Sequence, residues 1–324
     1  TQGAVAGRGW RGAQLGRGTL MRWRVCLVGL SLAAASLAHA QLFGRLEWTE
    51  SGDFSEAAVV RGVKATASQC QVSPHAVWAD AGAAGAECLR VWSAGFGPLP
   101  VKRALIFFHG DVYVGNGKTA KSYLNSSVEE QAQFAQNWAK RLGVPYLFLG
   151  RPGTHGSSGD HMQRRRKAES LLISAAMDSL KQTYGIEEWV VAGQSGGGHV
   201  TAALLTERSD IVCAVPTSAP SSPRIRWEMM GRSRDKTGYT DSYEPSLWLV
   251  KSKTHPALRV FVLGNPEDRN VFWPSQTVLA DALKAASIPV EIIEASGSGP
   301  DGHGLSNASR VVAAWCAQHL STDE

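Results

Sequence analysis

A serine, a histidine and a carboxylate can together cleave an acyl bond, and this chain holds all three in short turns that follow apolar runs. Ser195 lies in Gly193-Gln194-Ser195-Gly196-Gly197, directly after Trp189-Val190-Val191-Ala192. A serine hydroxyl is a weak nucleophile until a base takes its proton. Glycine on both sides suits a sharp strand-to-helix turn, where strained backbone and close helix contact leave little room for a Cβ. Such a turn lifts the hydroxyl to the rim of a sheet, within reach of an imidazole. His303, between Gly302 and Gly304, is the candidate base. It needs a carboxylate to hold one tautomer and to stabilise the imidazolium. Asp268, in Asn265-Pro266-Glu267-Asp268-Arg269-Asn270-Val271, is the candidate acid, with Glu267 beside it as the alternative. Asp301 stands only two residues before His303, too close in a loop to reach the ring nitrogen away from the serine.

The elements that must position these groups follow from periodicity. Apolar strand runs at 103–108, 144–149, 188–192, 211–215, 258–264 and 289–294 alternate with helical patterns. One helix is predicted over 129–142, with Phe134, Trp138 and Leu142 spaced by four, and a longer one over 164–184. This alternation is the mark of strands joined by crossover helices. Residues 41–98 carry shorter alternating segments that read as antiparallel edge strands.

The chain order Ser195, Asp268, His303 resembles that of the α/β-hydrolase superfamily over about residues 85–320. Within it, the catalytic domains of prolyl-oligopeptidase and dienelactone-hydrolase relatives are most similar. The resemblance rests on Asp268 followed by Val271, a helix ending Ala282-Leu283-Lys284-Ala285-Ala286, then Pro289-Val290-Glu291, then Gly302-His303-Gly304. It implies an α/β fold, with a mostly parallel central sheet, helices on both faces and a short lid insertion. It further implies an oxyanion hole made by the amides of Gly196 and Asp111, with Gly110 or Val112 as the alternatives for the second. Gly196 also falls at a helix N-terminus, where the backbone dipole favours negative charge.

The remaining rim segments have polar and aromatic residues with two readings each. Residues 151–161, Arg-Pro-Gly-Thr-His-Gly-Ser-Ser-Gly-Asp-His, follow a strand. Arg151, His155 or His161 is a candidate substrate contact there, against the simpler reading of turn chemistry and surface polar residues. His155, Asp160 and His161 lack the spacing of a metal site, so no metal is expected, and the chemistry needs no cofactor. Arg164-Arg165-Arg166-Lys167 reads as a solvated face, and His199 as packing. Residues 217–256 break the alternation and read as a lid at the end of a strand, where open α/β sheets bind ligands. Trp227 within it and Trp273 beyond the acid are candidate walls of an apolar acyl pocket.

Residues 1–20 read as an upstream or disordered segment, and 21–40 as a signal peptide: a cationic start, an apolar core and Ala38-His39-Ala40. Residues 41–324 then form a single domain, expected to be periplasmic or secreted, with no stable membrane insertion after cleavage. Residues 1–40 hold five arginines and no acid, so without them the 33 basic residues fall to 28, equal to the 28 acidic ones. The basic isoelectric point therefore belongs to the leader and argues against nucleic-acid or anionic-membrane binding. Of the cysteines, Cys70 and Cys88 are expected to pair, whereas Cys213 and Cys316 stay open between a bridge and two buried thiols. These features predict a serine hydrolase acting on a small-molecule or peptide substrate, an ester in the first place. A peptidase of prolyl-oligopeptidase type and a non-catalytic binding member of the fold are the alternatives.

Overall fold

The computed structural model describes residues 44–320 except Asp53 and residues 116–117, and the side chains of 114 and 115 are left aside with them. The expectations for residues 1–40 lie outside the described residues. Eight strands form one sheet: β1 (Ala76–Asp80), β2 (Ala86–Ala94), β3 (Val101–Phe108), β4 (Tyr146–Leu149), β5 (Ile186–Gln194), β6 (Ile211–Thr217), β7 (Arg259–Gly264) and β8 (Val290–Glu294). Their order is β8-β7-β6-β5-β3-β4-β2-β1. The pairs from β4 to β8 are parallel, and only β1–β2 and β2–β4 are antiparallel. This is the α/β-hydrolase fold.

The central strands are apolar without interruption because both faces are covered. Ile106, Phe108, Leu147, Trp189 and Val191 point to one face, against Ile173 and Met177 of α2 (Lys167–Tyr184) and Leu279 and Leu283 of α5 (Trp273–Ala285). Leu105, Phe107, Phe148, Val190 and Ala192 point to the other, against Trp138 and Leu142 of α1 (Val128–Leu142) and Ala313 and Ala314 of α6 (Ser306–His319). The turn of the elbow feeds α3 (Gly196–Leu204). Ser127 caps α1 by accepting from the Glu130 amide, and Gly143 ends it at φ 68°.

Two expectations are corrected and one open alternative is decided. The long helix begins at Lys167, three residues late, because Arg164 and Arg165 are drawn into the interior instead of opening a solvated first turn. The N-terminal part holds two short helices, Glu56–Arg61 and Ala67–Gln71, besides the edge strands. The pair left open, Cys213 and Cys316, forms a disulfide with Cα atoms 6.5 Å apart, and the expected pair Cys70 and Cys88 forms one at 5.5 Å. The reason is that α6 packs directly over β6, so both sulfurs lie in the second apolar layer. Residues 217–256, read from the sequence as a lid, contain α4 (Pro223–Met229) and a short turn Pro245–Trp248. Among the described residues no helix is long and apolar enough to cross a membrane.

Candidate active site

Register places the candidate residues on one rim. Phe108 pairs with Gly193, Gln194 with Thr217, and Thr217 with Leu263, so the loops leaving β3, β5, β6 and β7 emerge at one level. Ser195 sits on the turn after β5 at φ 58°, ψ −120°, and its amide donates to Thr217 O at 2.8 Å. A non-glycine residue with positive φ is costly unless its surroundings hold it there. Here the glycines make the turn possible: a Cβ on Gly193 would lie 2.3 Å from Gly197 O, and one on Gly197 would lie 2.1 Å from Phe108 O.

Asp268 and His303 meet across the rim. The buried Asp268 carboxylate accepts the Asn270 and Val271 amides on Oδ1, at 2.8 and 3.0 Å. Its Oδ2 accepts from His303 Nδ1 at 2.7 Å. That bond leaves Nε2 as the acceptor of a neutral imidazole, and Nε2 is buried with no partner, so the Ser195 hydroxyl is not bonded to it in this structure. Glu267 is exposed, and Asp301 contributes a backbone carbonyl to the Arg269 amide at 3.0 Å. The His303 loop is tied to its neighbours through its carbonyls: Gln194 Nε2 donates to His303 O at 2.9 Å, and Asn265 Nδ2 to Gly302 O at 2.8 Å. Gln194, the variable position of the elbow motif, thus joins the serine's turn to the histidine's loop, a role that residue type alone does not signal.

The loop after β3 lies against the same turn. His109 Nδ1 donates to Gly110 O at 2.6 Å, while its Nε2 accepts the Arg151 amide at 3.1 Å. Because a trans peptide sets C=O and N–H in opposite directions, the Asp111 amide points away from that ring. A Cβ on Gly110 would lie 3.4 Å from Ser195 Cβ, and one on Gly196 would lie 2.0 Å from Asp111 Oδ1. Neither the Asp111 nor the Gly196 amide has an acceptor among the described residues.

The Asp111 side chain is the hub of a buried ion network. Arg151 reaches it at 2.9 Å and Arg164 at 3.0 Å, and Arg165 pairs with it too. Arg151 also pairs with Glu169 at 2.7 Å, and Arg165 with Asp235 at 2.6 Å. Burial works to raise the Asp111 pKa, but Arg165, Arg164 and Arg151 outweigh it and hold the carboxyl well below its ordinary range. Arg165 is kept at φ 64°, with its amide on Glu169 Oε2. Arg164 and Arg165, expected on a solvated face, are therefore interior, because carboxylates from distant segments neutralise them.

Other expected contacts are placed differently from their reading. Arg151 is fully buried and spent on protein carboxylates. His155 is buried among His109, Tyr123 and Phe148, with ring centroids 4.1 to 5.3 Å away. The loop 151–161 is an interior support, not a surface turn. Trp227 is buried within the lid, and Trp273 packs at the end of β7, where a Cβ on Gly264 would lie 2.9 Å from its ring. His199 is packed, with Nε2 2.8 Å from Tyr243 O. Among the described residues no group of three or more His, Cys, Asp or Glu could hold a metal ion.

No protein-family model matches this chain, and no curated sequence is similar to it. Solved structures resemble it in fold. An esterase of Pyrococcus furiosus is 16% identical with a TM-score of 0.53, over 79% of this chain and 96% of its own. Est1E of Butyrivibrio proteoclasticus, with ferulic acid bound, is 16% identical with a TM-score of 0.50, over 75% and 99%. A puromycin-hydrolysing peptidase of Mycobacterium tuberculosis is 16% identical with a TM-score of 0.52, over 78% of this chain. This chain spans 40% of the length of that peptidase and of an acylaminoacyl peptidase that it also resembles.

Proposed function

We propose that this chain is an exported serine hydrolase that cleaves a carboxylic ester through an acyl-enzyme on Ser195. The observation that carries the reading is the 2.7 Å bond from His303 to the buried Asp268, on the rim where Ser195 sits at positive φ. In this reading His303 Nε2 takes the Ser195 proton as Oγ attacks the ester carbonyl, and Asp268 stabilises the imidazolium. The tetrahedral oxyanion is received by the amides of Gly196 and Asp111. Each such donor lowers the barrier by roughly 3 kcal/mol. His303 then gives its proton to the departing alkoxide, and a water repeats the sequence to free the acid.

Two structures that resemble the chain over nearly their whole length are esterases, which supports an ester substrate over an amide. Export is supported by the two disulfides, which persist in oxidising compartments. The test is labelling of the purified chain with a fluorophosphonate, followed by nitrophenyl esters and aminoacyl anilides. Labelling of Ser195 with ester turnover is expected. Absence of labelling refutes the nucleophile, and turnover of anilides over esters makes the protein a peptidase.

A further inference from the structure

One buried cation near the candidate site has no direct ion-pair partner among the described residues. Arg151, Arg164 and Arg165 face Asp111, Glu169 and Asp235, three cations against three anions. Arg226 comes in addition. It projects from α4 in the lid, is 6% exposed, and forms no ion pair among the described residues. One edge of the guanidinium is anchored on the acid loop, with Nε donating to Asn270 O at 2.9 Å and Nη2 donating to Asn270 Oδ1. Nη1 has no partner among the described residues and remains in reach of solvent. Lys236, next to Asp235, also forms no ion pair there.

The surroundings place the guanidinium among the charges of the candidate site. Burial lowers the Arg226 pKa to about 10, Arg165 adds to the effect, and Asp111, Asp235 and Asp268 oppose it. Arg226 is thus within electrostatic reach of both the carboxylate beside Gly196 and the one beside His303. At neutral pH it stays charged. Lys236 senses the same group, since burial and then Arg226 lower its pKa. A nearly buried guanidinium without an anion is unfavourable by several kcal/mol. The three carboxylates in its field are each already bonded to other partners, so the position calls for an anion from outside the chain.

We propose that Arg226, with Lys236 beside it, receives a carboxylate of the substrate, so that the preferred substrates are anionic esters: one carboxyl esterified at Ser195, another left free. This rests on the reading of Ser195 as the nucleophile. The planar fork of a guanidinium matches a carboxylate in geometry. Its anchoring on Asn270 fixes the rotamer before the ligand arrives, which spares the entropy of ordering a long side chain. The free carboxylate can lie on the acyl part or on the leaving part of the ester.

Two matched pairs of esters test this on the full chain: 4-nitrophenyl hydrogen glutarate against 4-nitrophenyl valerate, and 4-(butyryloxy)benzoate against its methyl ester. The expected result is that, in one pair, Arg226→Gln lowers kcat/KM for the anionic member at least about tenfold more than for the neutral one. Arg226→Lys retains part of that preference, and Lys236→Gln, at an exposed position, shows a smaller selective loss. The preference also shrinks in about 0.5 M salt. Equal losses on both members of both pairs, or no selective loss in either the Arg226 or the Lys236 variants, would overturn the inference and leave Arg226 as a clamp between lid and acid loop. Fluorophosphonate labelling of the same samples separates the two failures. Labelling with turnover but no anionic preference removes this inference alone, whereas no labelling and no turnover of any of the four esters removes the hydrolase reading with it.

Discussion

Asp268→Asn is the substitution whose outcome the geometry specifies most closely. Two backbone amides, Asn270 and Val271, donate to Oδ1, so the amide oxygen of an asparagine must take that position. Its NH2 group then faces His303 Nδ1, where the carboxylate Oδ2 now accepts a 2.7 Å bond. A donor there can be satisfied only if Nδ1 is bare, which moves the ring proton to Nε2. In that tautomer His303 has no lone pair for the Ser195 proton. Flipping the amide does not help, because NH2 would then oppose two N–H donors. The expected loss in kcat is about 10⁴-fold, or roughly 5.5 kcal/mol of barrier. The assay is steady-state ester hydrolysis, with thermal melting to show that the fold is kept. Glu267→Gln is the control, since Glu267 is exposed, and it should change kcat by less than about threefold. An Asp268→Asn enzyme that keeps more than about a hundredth of its kcat refutes the tautomer argument. The reverse ranking of the two variants moves the acid to Glu267.

Three further outcomes are expected. His155 is held neutral by burial and Arg151, with its pKa lowered to about 3, and His199 by burial, with its pKa lowered to about 4. The unfolded chain takes up those protons near pH 6.5 and the folded one does not, so stability is full above that pH and falls as pH drops. From pH 6.5 to 4.5 the two groups remove up to about 5 kcal/mol, readable by urea unfolding, and a flat stability over that range refutes their buried neutral state. Asp111→Asn leaves Arg164 without a carboxylate in the interior and should destabilise the fold by about 3 to 5 kcal/mol, although the amide of residue 111 is unchanged; wild-type melting of the variant would show that the network is not needed. Peptide mapping without reductant should find Cys70 with Cys88 and Cys213 with Cys316. Loss of the second bridge, whose cysteines are 103 positions apart, should cost about 4 to 5 kcal/mol on the chain-entropy account, more than loss of the first at 18, and equal shifts in urea midpoint would contradict that account.

From residue 103 onward the strand and helix order could be read from the residues alone, because periodicity and turn chemistry are local. Alternating apolar runs and helical spacing between 103 and 320 describe the sheet, and Gly193 to Gly197 describe a turn that few other residues could make. The positions of Asp268 and His303 after strands β7 and β8 were legible for the same reason, since strand ends in register put their loops on one rim. The fate of charges was not local. Arg164 and Arg165 look solvated until Asp111 and Asp235, 53 and 70 residues away, are seen to neutralise them. Arg151 and His155 look like surface contacts until the loop that holds them is seen folded beneath the elbow. The pairing of Cys213 with Cys316, the bond from Gln194 to His303 and the unpaired edge of Arg226 likewise came only from tertiary structure. Whether a polar or charged group is buried, bonded or free depends on partners that the fold brings from elsewhere in the chain, and no spacing along the chain encodes their arrival.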